Sequence, residues 1–355
     1  MSGFARPETP DDLVALANAF FEPKALLTAC RIGVFPALAG GPATAAEVAV
    51  RLKDGPGEPR AVGLLLRALV AMGLVERLAA AGEAASAGAG AAAGLERFAL
   101  TPLARDALVP GSARYVGDYL ALNDYTFQAW SRLERCVRTG RPVVEPFLRS
   151  DRAAHRDFIR AMHNTAQGTA PLVAAGVDLR GRRTLVDVGS GPGTFAIHFC
   201  RRYPDLRATL LDFAETIPIA REVVAETGAD VADRVDYRAG DFHAEALGGP
   251  YDAAWLSHIV HGHGEERLAA LFAKVHGALA PGGLIALHDF FLEADRTRPA
   301  FGAVFALNML VFTDGGRTYS FEETRALLEG AGFARVEWRK LGEPRGISVV
   351  VARRS

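Results

Sequence analysis

The sequence predicts an α/β protein: a doubly wound, seven-stranded sheet in residues 181–355, preceded by a mainly α-helical region with one short pair of strands. Three observations carry that expectation. From Arg183 onward, short apolar strands alternate with helical segments, the pattern of a mostly parallel sheet covered by helices on both faces. The first of these strands runs into the glycine-rich turn VDVGSGPGTF, Val186–Phe195, which opens a helix. Residues 1–110, by contrast, space their apolar side chains at the helical period.

The N-terminal elements follow in order. Leu13, Leu16, Phe20, Ala25, Leu26, Ala29 and Ile32 recur at helical spacing, and Pro23 predicts a break near Glu22–Pro23. Thr44 with Glu47 three positions on reads as a capping box before Val48. Arg60–Met72 is a strongly apolar helix that Gly73 ends. LVERL and RFALT then read as two short strands joined by the Ala/Gly tract Ala79–Gly94, expected to be a mobile wing tip. This order is a winged-helix pattern. A winged helix can read DNA, but here Arg60 and Arg67 are the only charges on the recognition-like helix, so burial against a second subunit is expected instead.

Residues 111–180 read as a helical, substrate-lining linker rich in aromatics (Tyr115, Tyr119, Tyr125, Phe127, Trp130, Phe147, Phe158). A helix near Ala153–Gly168 carries Phe158, Met162 and His163. The strands of the C-terminal domain are RTLVDVG, RATLLDF, DRVDYRAGDF, YDAAWLSHIV and GGLIALHDFF. The tail ARVEWRKLGEPRGISVVVARR adds an antiparallel hairpin at one end of the sheet.

Composition narrows the function. Forty basic residues against forty-one acidic ones give a net charge of −1, so neither nucleic acid nor an anionic membrane is an expected partner. Cys30, Cys136 and Cys200 form no CxxC spacing, which argues against a disulfide framework or a local zinc knuckle and fits a reducing compartment. The polar start MSGFARPETPDD has no signal-peptide core, and no run of about 18 uninterrupted apolar residues is present. A cytoplasmic location is expected.

The glycine loop is the most informative stretch. Gly189, Gly191 and Gly193 let backbone approach a ligand closely. Their spacing differs from the G-x-G-x-x-G that seats a pyrophosphate on a helix N-terminus. Asp187, at the strand end just before them, is badly placed for a phosphate and well placed for a cationic amine. S-adenosylmethionine (SAM) has that amine and no phosphate. Asp212, closing the second strand, can accept both ribose hydroxyls, and Phe213 lies beside it. Asp241 and Phe242 offer an acceptor for an adenine amino group and an aromatic edge for its ring. Ser257, at the end of the fourth strand, completes the expected cofactor set.

These motifs resemble a known family. Residues 183–351 are similar to the Rossmann-like class I SAM-dependent methyltransferase fold. The whole chain resembles the bacterial and plant-type small-molecule O-methyltransferases, which carry a winged-helix dimerisation domain in front. The carriers are IGVFPALAGGPATAAEVAVRL, LLLRALVAMGLVER and FALTPLARDAL in the first half. LVDVGSGPGTF, LLDFAETI, AGDF, ALAPGGLIALHDF, NMLVFTDGGRTYS and LLEGAGF carry it in the second. The resemblance implies a homodimer through the N-terminal domain (1–110), a helical segment (111–180) and a SAM-binding domain (181–355).

The resemblance also implies a general-base histidine at His261, although Gly262-His263 follows it where the family usually has Asp-Trp. Such a base removes the proton of a phenolic or other hydroxyl on a secondary-metabolite-like acceptor before in-line methyl transfer. Acidic residues orient this base in plant relatives. One of those positions falls on Asp289 or Phe290; the other falls near Thr318, where no acid stands, so Glu265 or Glu266 could substitute. Candidate acceptor contacts are Phe158, Met162, His163, His258, Phe301, Asn308 and Met309. Three alternatives stay open at this level: metal ligation by His258, His261, His263 and Glu265, which lack the H-E-x-x-H spacing; methylation at carbon or nitrogen by proximity alone; and a non-catalytic winged-helix regulator that retains the SAM fold.

Overall fold

The computed structural model describes residues 6–78, 96–112, 114–143, 151–342 and 347–355. They divide into two compact units, Arg6–Phe127 and Gln128–Ser355, with the boundary inside the segment 111–180. The Ala79–Gly94 tract and Phe147 lie outside the described residues.

In the first unit, Thr9 and Asp12 form a capping box that starts α1 (Pro10–Asn18). The chain breaks at Ala19–Phe20, earlier than Pro23 suggested, and resumes as α2 (Phe21–Arg31). Pro23 sits in the first turn of α2, where the N–H it lacks would have no intrahelical acceptor. α3 (Val34–Leu38) follows, then α4 (Ala45–Val50), which starts at the Thr44–Glu47 capping box. α5 (Pro59–Ala71) is capped by the Glu58 carboxylate and ends where Gly73 turns left-handed at φ +70°. β1 (Val75–Leu78) and β2 (Arg97–Leu100) pair antiparallel, Val75 opposite Leu100, and α6 (Pro102–Leu108) follows. Phe35, Leu38, Leu66, Leu69 and Phe98 fill the core between these elements. α7 (Gly117–Trp130) runs across the boundary between the units. Its buried Asp124 binds Lys24 and Arg31 of α2 and so ties α7 into the first unit.

The second unit opens with α8 (Leu133–Thr139), α9 (Arg152–Gln167) and α10 (Ala170–Gly176). Then β3 (Thr184–Val188), α11 (Thr194–Arg202), β4 (Arg207–Asp212), α12 (Ile217–Thr227) and β5 (Val235–Ala239) alternate. β6 (Tyr251–Ser257), α13 (Glu265–Ala278), β7 (Leu279–Asp289), α14 (Ala300–Phe312), α15 (Phe321–Gly330), β8 (Phe333–Gly342) and β9 (Ile347–Arg354) complete it. The seven strands lie in the order β5-β4-β3-β6-β7-β9-β8, parallel except for β9, which runs antiparallel to both β7 and β8.

Strand alternation splits the core into two layers. Leu185, Leu210 and Trp255 face α10 and α11, whereas Val186, Val188 and Leu256 face α13 and its neighbours. β3 pairs with β4 on one side and β6 on the other, so the winding reverses there. The crevice outside the carboxyl ends of β3 and β6 is where such sheets bind ligands.

Candidate functional site

The carboxyl ends of β3, β4 and β5 build one half of the site. After β3 the chain turns through Gly189, Gly191 and Gly193, all at positive φ (+69°, +53° and +75°). Added Cβ atoms at Gly189 and Gly193 would stand 2.4 Å from Ile259 Cδ1 and 2.5 Å from Leu210 Cδ1. One at Gly191 would meet no protein atom within 4 Å, so Gly191 presents bare backbone on the open side of the loop. The loop is tied to β4 because Gly189 N–H donates to the Leu211 carbonyl at 2.9 Å.

Asp212 closes β4 and is buried. Its carboxylate accepts from Gly191 N–H and Phe213 N–H, both at 2.7 Å. Burial raises its pKa, against the lowering effect of those two donors, Thr216 and His155. Two N–H bonds leave lone pairs on both oxygens, the capacity that a ribose diol needs. Asp187, inside β3, is 2% exposed; burial first, then the charge of Asp212, pushes its pKa well above the usual carboxylate range. A cationic amine beside it would relieve both effects. Ser190 Oγ is buried without a partner in the same loop. Beyond β5, Asp241 accepts from His243 N–H at 2.8 Å, and the Phe213 and Phe242 rings stand 5.8 Å apart. Bare backbone, an unpaired buried hydroxyl and acids suited to an ammonium and a diol fit a SAM-type nucleoside.

The ends of β6 and β7 build the other half. Ser257 closes β6 with its hydroxyl 2.9 Å from His288 Nδ1. His258 follows at φ +56°, a costly conformation held by its N–H bond to the His288 carbonyl at 2.8 Å. His261, on the next short turn, places Nδ1 2.6 Å from Asp289 Oδ1, while its backbone N–H reaches Oδ2 at 3.2 Å. Burial disfavours the Asp289 carboxylate, but the charges and hydrogen bonds of His261 outweigh it and hold its pKa well below the usual range. Asp289 is therefore the acid that orients His261, of the two adjacent positions the sequence offered.

One of the two suggested substitutes, Glu265, is engaged elsewhere. Glu265 pairs with Arg317, and Thr318 gives its hydroxyl to the Gly302 carbonyl. The four-ligand metal reading is dispersed for the same reason: His263 Nε2 faces His243 Nε2 at 3.1 Å, away from His261. His258, His261 and Asp289 do keep ligand atoms within 4.8 Å of one another, but the Nδ1 atom of His261 is already committed to Asp289. Burial lowers the pKa of His258 to about 4 and that of His263 to about 3, so both rings are neutral at pH 7.

Aromatic rings enclose His261. The Phe290 ring stacks on His261 at 6.1 Å, and Phe305 meets the same ring edge-on at 5.1 Å. Phe301 packs on Phe290 at 5.0 Å. Phe305 escaped the sequence reading, although its i+4 relation to Phe301 was a usable signal. Asn308 accepts from Trp130 Nε1 at 2.9 Å and Met309 is buried on the same helix. On α9, Phe158 and Met162 are half-buried. His163 is turned inward, with Nδ1 2.8 Å from Thr194 Oγ1 at the end of the glycine loop, beside the cofactor half of the site.

Two family models match the chain. Residues 136–334 match the O-methyltransferase domain and residues 14–110 match the O-methyltransferase dimerisation domain. The 3-hydroxy-5-methyl-1-naphthoate 3-O-methyltransferase of Streptomyces sahachiroi is 33% identical, over 97% of this chain and 94% of its own length. The tetracenomycin polyketide synthesis 8-O-methyl transferase of Streptomyces glaucescens is 32% identical over 96% of each chain. In fold, the chain is similar to human N-acetylserotonin methyltransferase in complex with SAM, with a TM-score of 0.82, 24% identity and coverage of 99% of both chains.

Proposed function

The chain belongs to the O-methyltransferase family, as a SAM-dependent methyltransferase with a dimerisation domain ahead of its catalytic one, and from that premise we propose that it methylates a phenolic hydroxyl on a bulky aromatic acceptor with His261 as general base. The observation that carries this reading is the 2.6 Å bond between His261 Nδ1 and the buried Asp289 carboxylate. It keeps the ring proton on Nδ1 and leaves Nε2 as a lone pair able to take a proton.

When bound, SAM supplies an electrophilic methyl group on a sulfonium centre. The residues of the chain do the rest. Asp187, Gly189, Gly191, Gly193, Asp212, Phe213, Asp241, Phe242 and Ser257 are the proposed donor contacts. Phe290, Phe301 and Phe305 form an aromatic wall beside the base, suited to a flat ring system. With Phe158, Met162, His258, Asn308 and Met309 they are the proposed acceptor contacts. His261 Nε2 takes the hydroxyl proton as the oxygen attacks, and Asp289 stabilises the imidazolium that results. The acceptor class is supported by the printed activities of the two Streptomyces relatives and by the aromatic wall.

The working unit is a homodimer of a cytoplasmic enzyme. Support for the dimer comes from the dimerisation-domain match and from α1, which has no buried residue and leaves Leu13, Val14 and Leu16 exposed. Support for the compartment comes from three unpaired cysteines. A panel of hydroxylated naphthalene and quinone acceptors with isotopically labelled methyl donor tests the function. The expected product carries the label on oxygen, and His261→Gln lowers turnover by ~10²-fold or more with little change in SAM affinity. Label on carbon or nitrogen, or undiminished turnover, would overturn the reading.

A further inference from the structure

Helix α9 reaches the cofactor half of the site through two histidines. Its buried face carries His155, Ile159, His163 and Ala166, and both rings end on threonine hydroxyls. His155 Nε2 lies 3.0 Å from Thr216 Oγ1, and His163 Nδ1 lies 2.8 Å from Thr194 Oγ1. Those threonines are not incidental. Thr216 is the N-cap of α12, and its N–H bonds to the Phe213 carbonyl at 2.9 Å, closing the turn that follows Asp212. Thr194 is the first residue of α11, directly after Gly193.

Each contact has a direction. Gln167 Nε2 donates to His163 Nε2 at 2.7 Å, so the His163 proton sits on Nδ1 and is given to Thr194. Because His155 Nδ1 has no partner among the described residues to receive a proton, the ring proton belongs on Nε2, where the Thr216 oxygen accepts it at 3.0 Å. His155 Nδ1 is then a bare acceptor, buried and without a partner among the described residues. Burying such an atom costs free energy. A residue kept there only to fill space would be better apolar.

We propose that α9 is a cofactor clamp: His155, acting through Thr216, positions the Asp212 carboxylate for the ribose hydroxyls of SAM, and His163, acting through Thr194, positions the glycine loop. The inference rests on the reading of Asp212 and the loop as the donor site. Both histidines are positioning residues. They hold the groups that bind the donor, so their loss falls on KM for SAM more than on kcat.

Calorimetry of SAM binding to His155→Phe, Thr216→Val, the double variant and His163→Leu tests the clamp, with thermal melts run beside it. Each single variant is expected to weaken binding roughly 5- to 30-fold. The double variant should bind no more weakly than Thr216→Val alone, because the two act in one chain. His155→Gln, which keeps a donor, should recover part of the loss. If His155→Phe does not fold, Thr216→Val and His155→Gln carry the test. Affinity within about twofold of wild type in folded His155→Phe and His163→Leu, or losses that multiply in the double variant, would overturn the clamp. Asp212→Asn separates the two levels: retained affinity there refutes the donor-site reading itself, whereas lost affinity there with intact His155→Phe binding refutes only the clamp.

Discussion

Asp289→Asn is the sharpest perturbation of the chemistry. The substitution keeps the side-chain volume and an acceptor for the Phe290 N–H, which now binds Oδ1 at 2.8 Å. It removes the negative charge that His261 meets 2.6 Å away in a buried setting. A hydrogen bond to a charged group contributes about 1.5–3 kcal/mol, which at about 1.36 kcal/mol per decade corresponds to a 10- to 150-fold fall in turnover. A second effect deepens the loss. Asp289 accepts from both the ring Nδ1–H and the backbone N–H of His261, and an amide can offer only one oxygen to these two donors. If the amide turns its NH2 toward Nδ1, the ring proton moves to Nε2 and the lone pair that serves as base is gone, which pushes the loss toward ~10⁴. Single-turnover methyl transfer from labelled SAM measures the step, and calorimetry checks that SAM affinity stays within about twofold. The variant His261→Gln/Asp289→Asn should be no slower than His261→Gln, since Asp289 acts through the histidine. Turnover within about threefold of wild type for Asp289→Asn, or losses that multiply in the double variant, would refute the dyad.

Three further outcomes are expected. Gly191→Ala should cost only about 1–2 kcal/mol of stability, the penalty of a left-handed backbone, because the added methyl meets no protein atom; SAM affinity should nevertheless fall by more than about tenfold, and unchanged affinity would remove Gly191 from the donor site. The folded-state pKa values of His163, about 4, and His263, about 3, lie below the unfolded value of about 6.5, so the stability they confer is complete above pH ~6.5 and is lost as pH falls toward 4. Each can contribute up to about 1.4 kcal/mol per pH unit in that window, so a urea midpoint that does not drop between pH 7 and 5 would contradict the neutral, enclosed rings. Leu16→Glu, on the exposed face of α1, should leave the monomer folded and shift sedimentation toward the monomer; an unchanged dimer would place the interface elsewhere.

Strand-terminal chemistry was legible in the sequence because it is local. Asp187, the three glycines and Asp212 each sit at the end of a short apolar run, and a parallel sheet brings all such ends to one edge. The Thr44–Glu47 capping box and the Gly73 stop were legible for the same reason: donor and acceptor lie within a few residues of each other. The break before α2 was misplaced because a proline is tolerated in a first helical turn, so Pro23 marks a helix start as readily as an end.

The sequence by itself determined which elements form and which side chains stand at the sheet's carboxyl edge, since hydrophobic period, caps and glycine spacing act over a few residues. Tertiary structure alone decided the partners. It closed the expected pair of His261 and Asp289, sent Glu265 to Arg317, brought His263 to His243, and set His163 against Thr194. It also brought His155 to Thr216 across 61 positions of chain. Imidazoles and carboxylates pair with whatever donor or acceptor packing puts within about 3 Å, and that distance is set by how helices dock on the sheet, which no local pattern encodes.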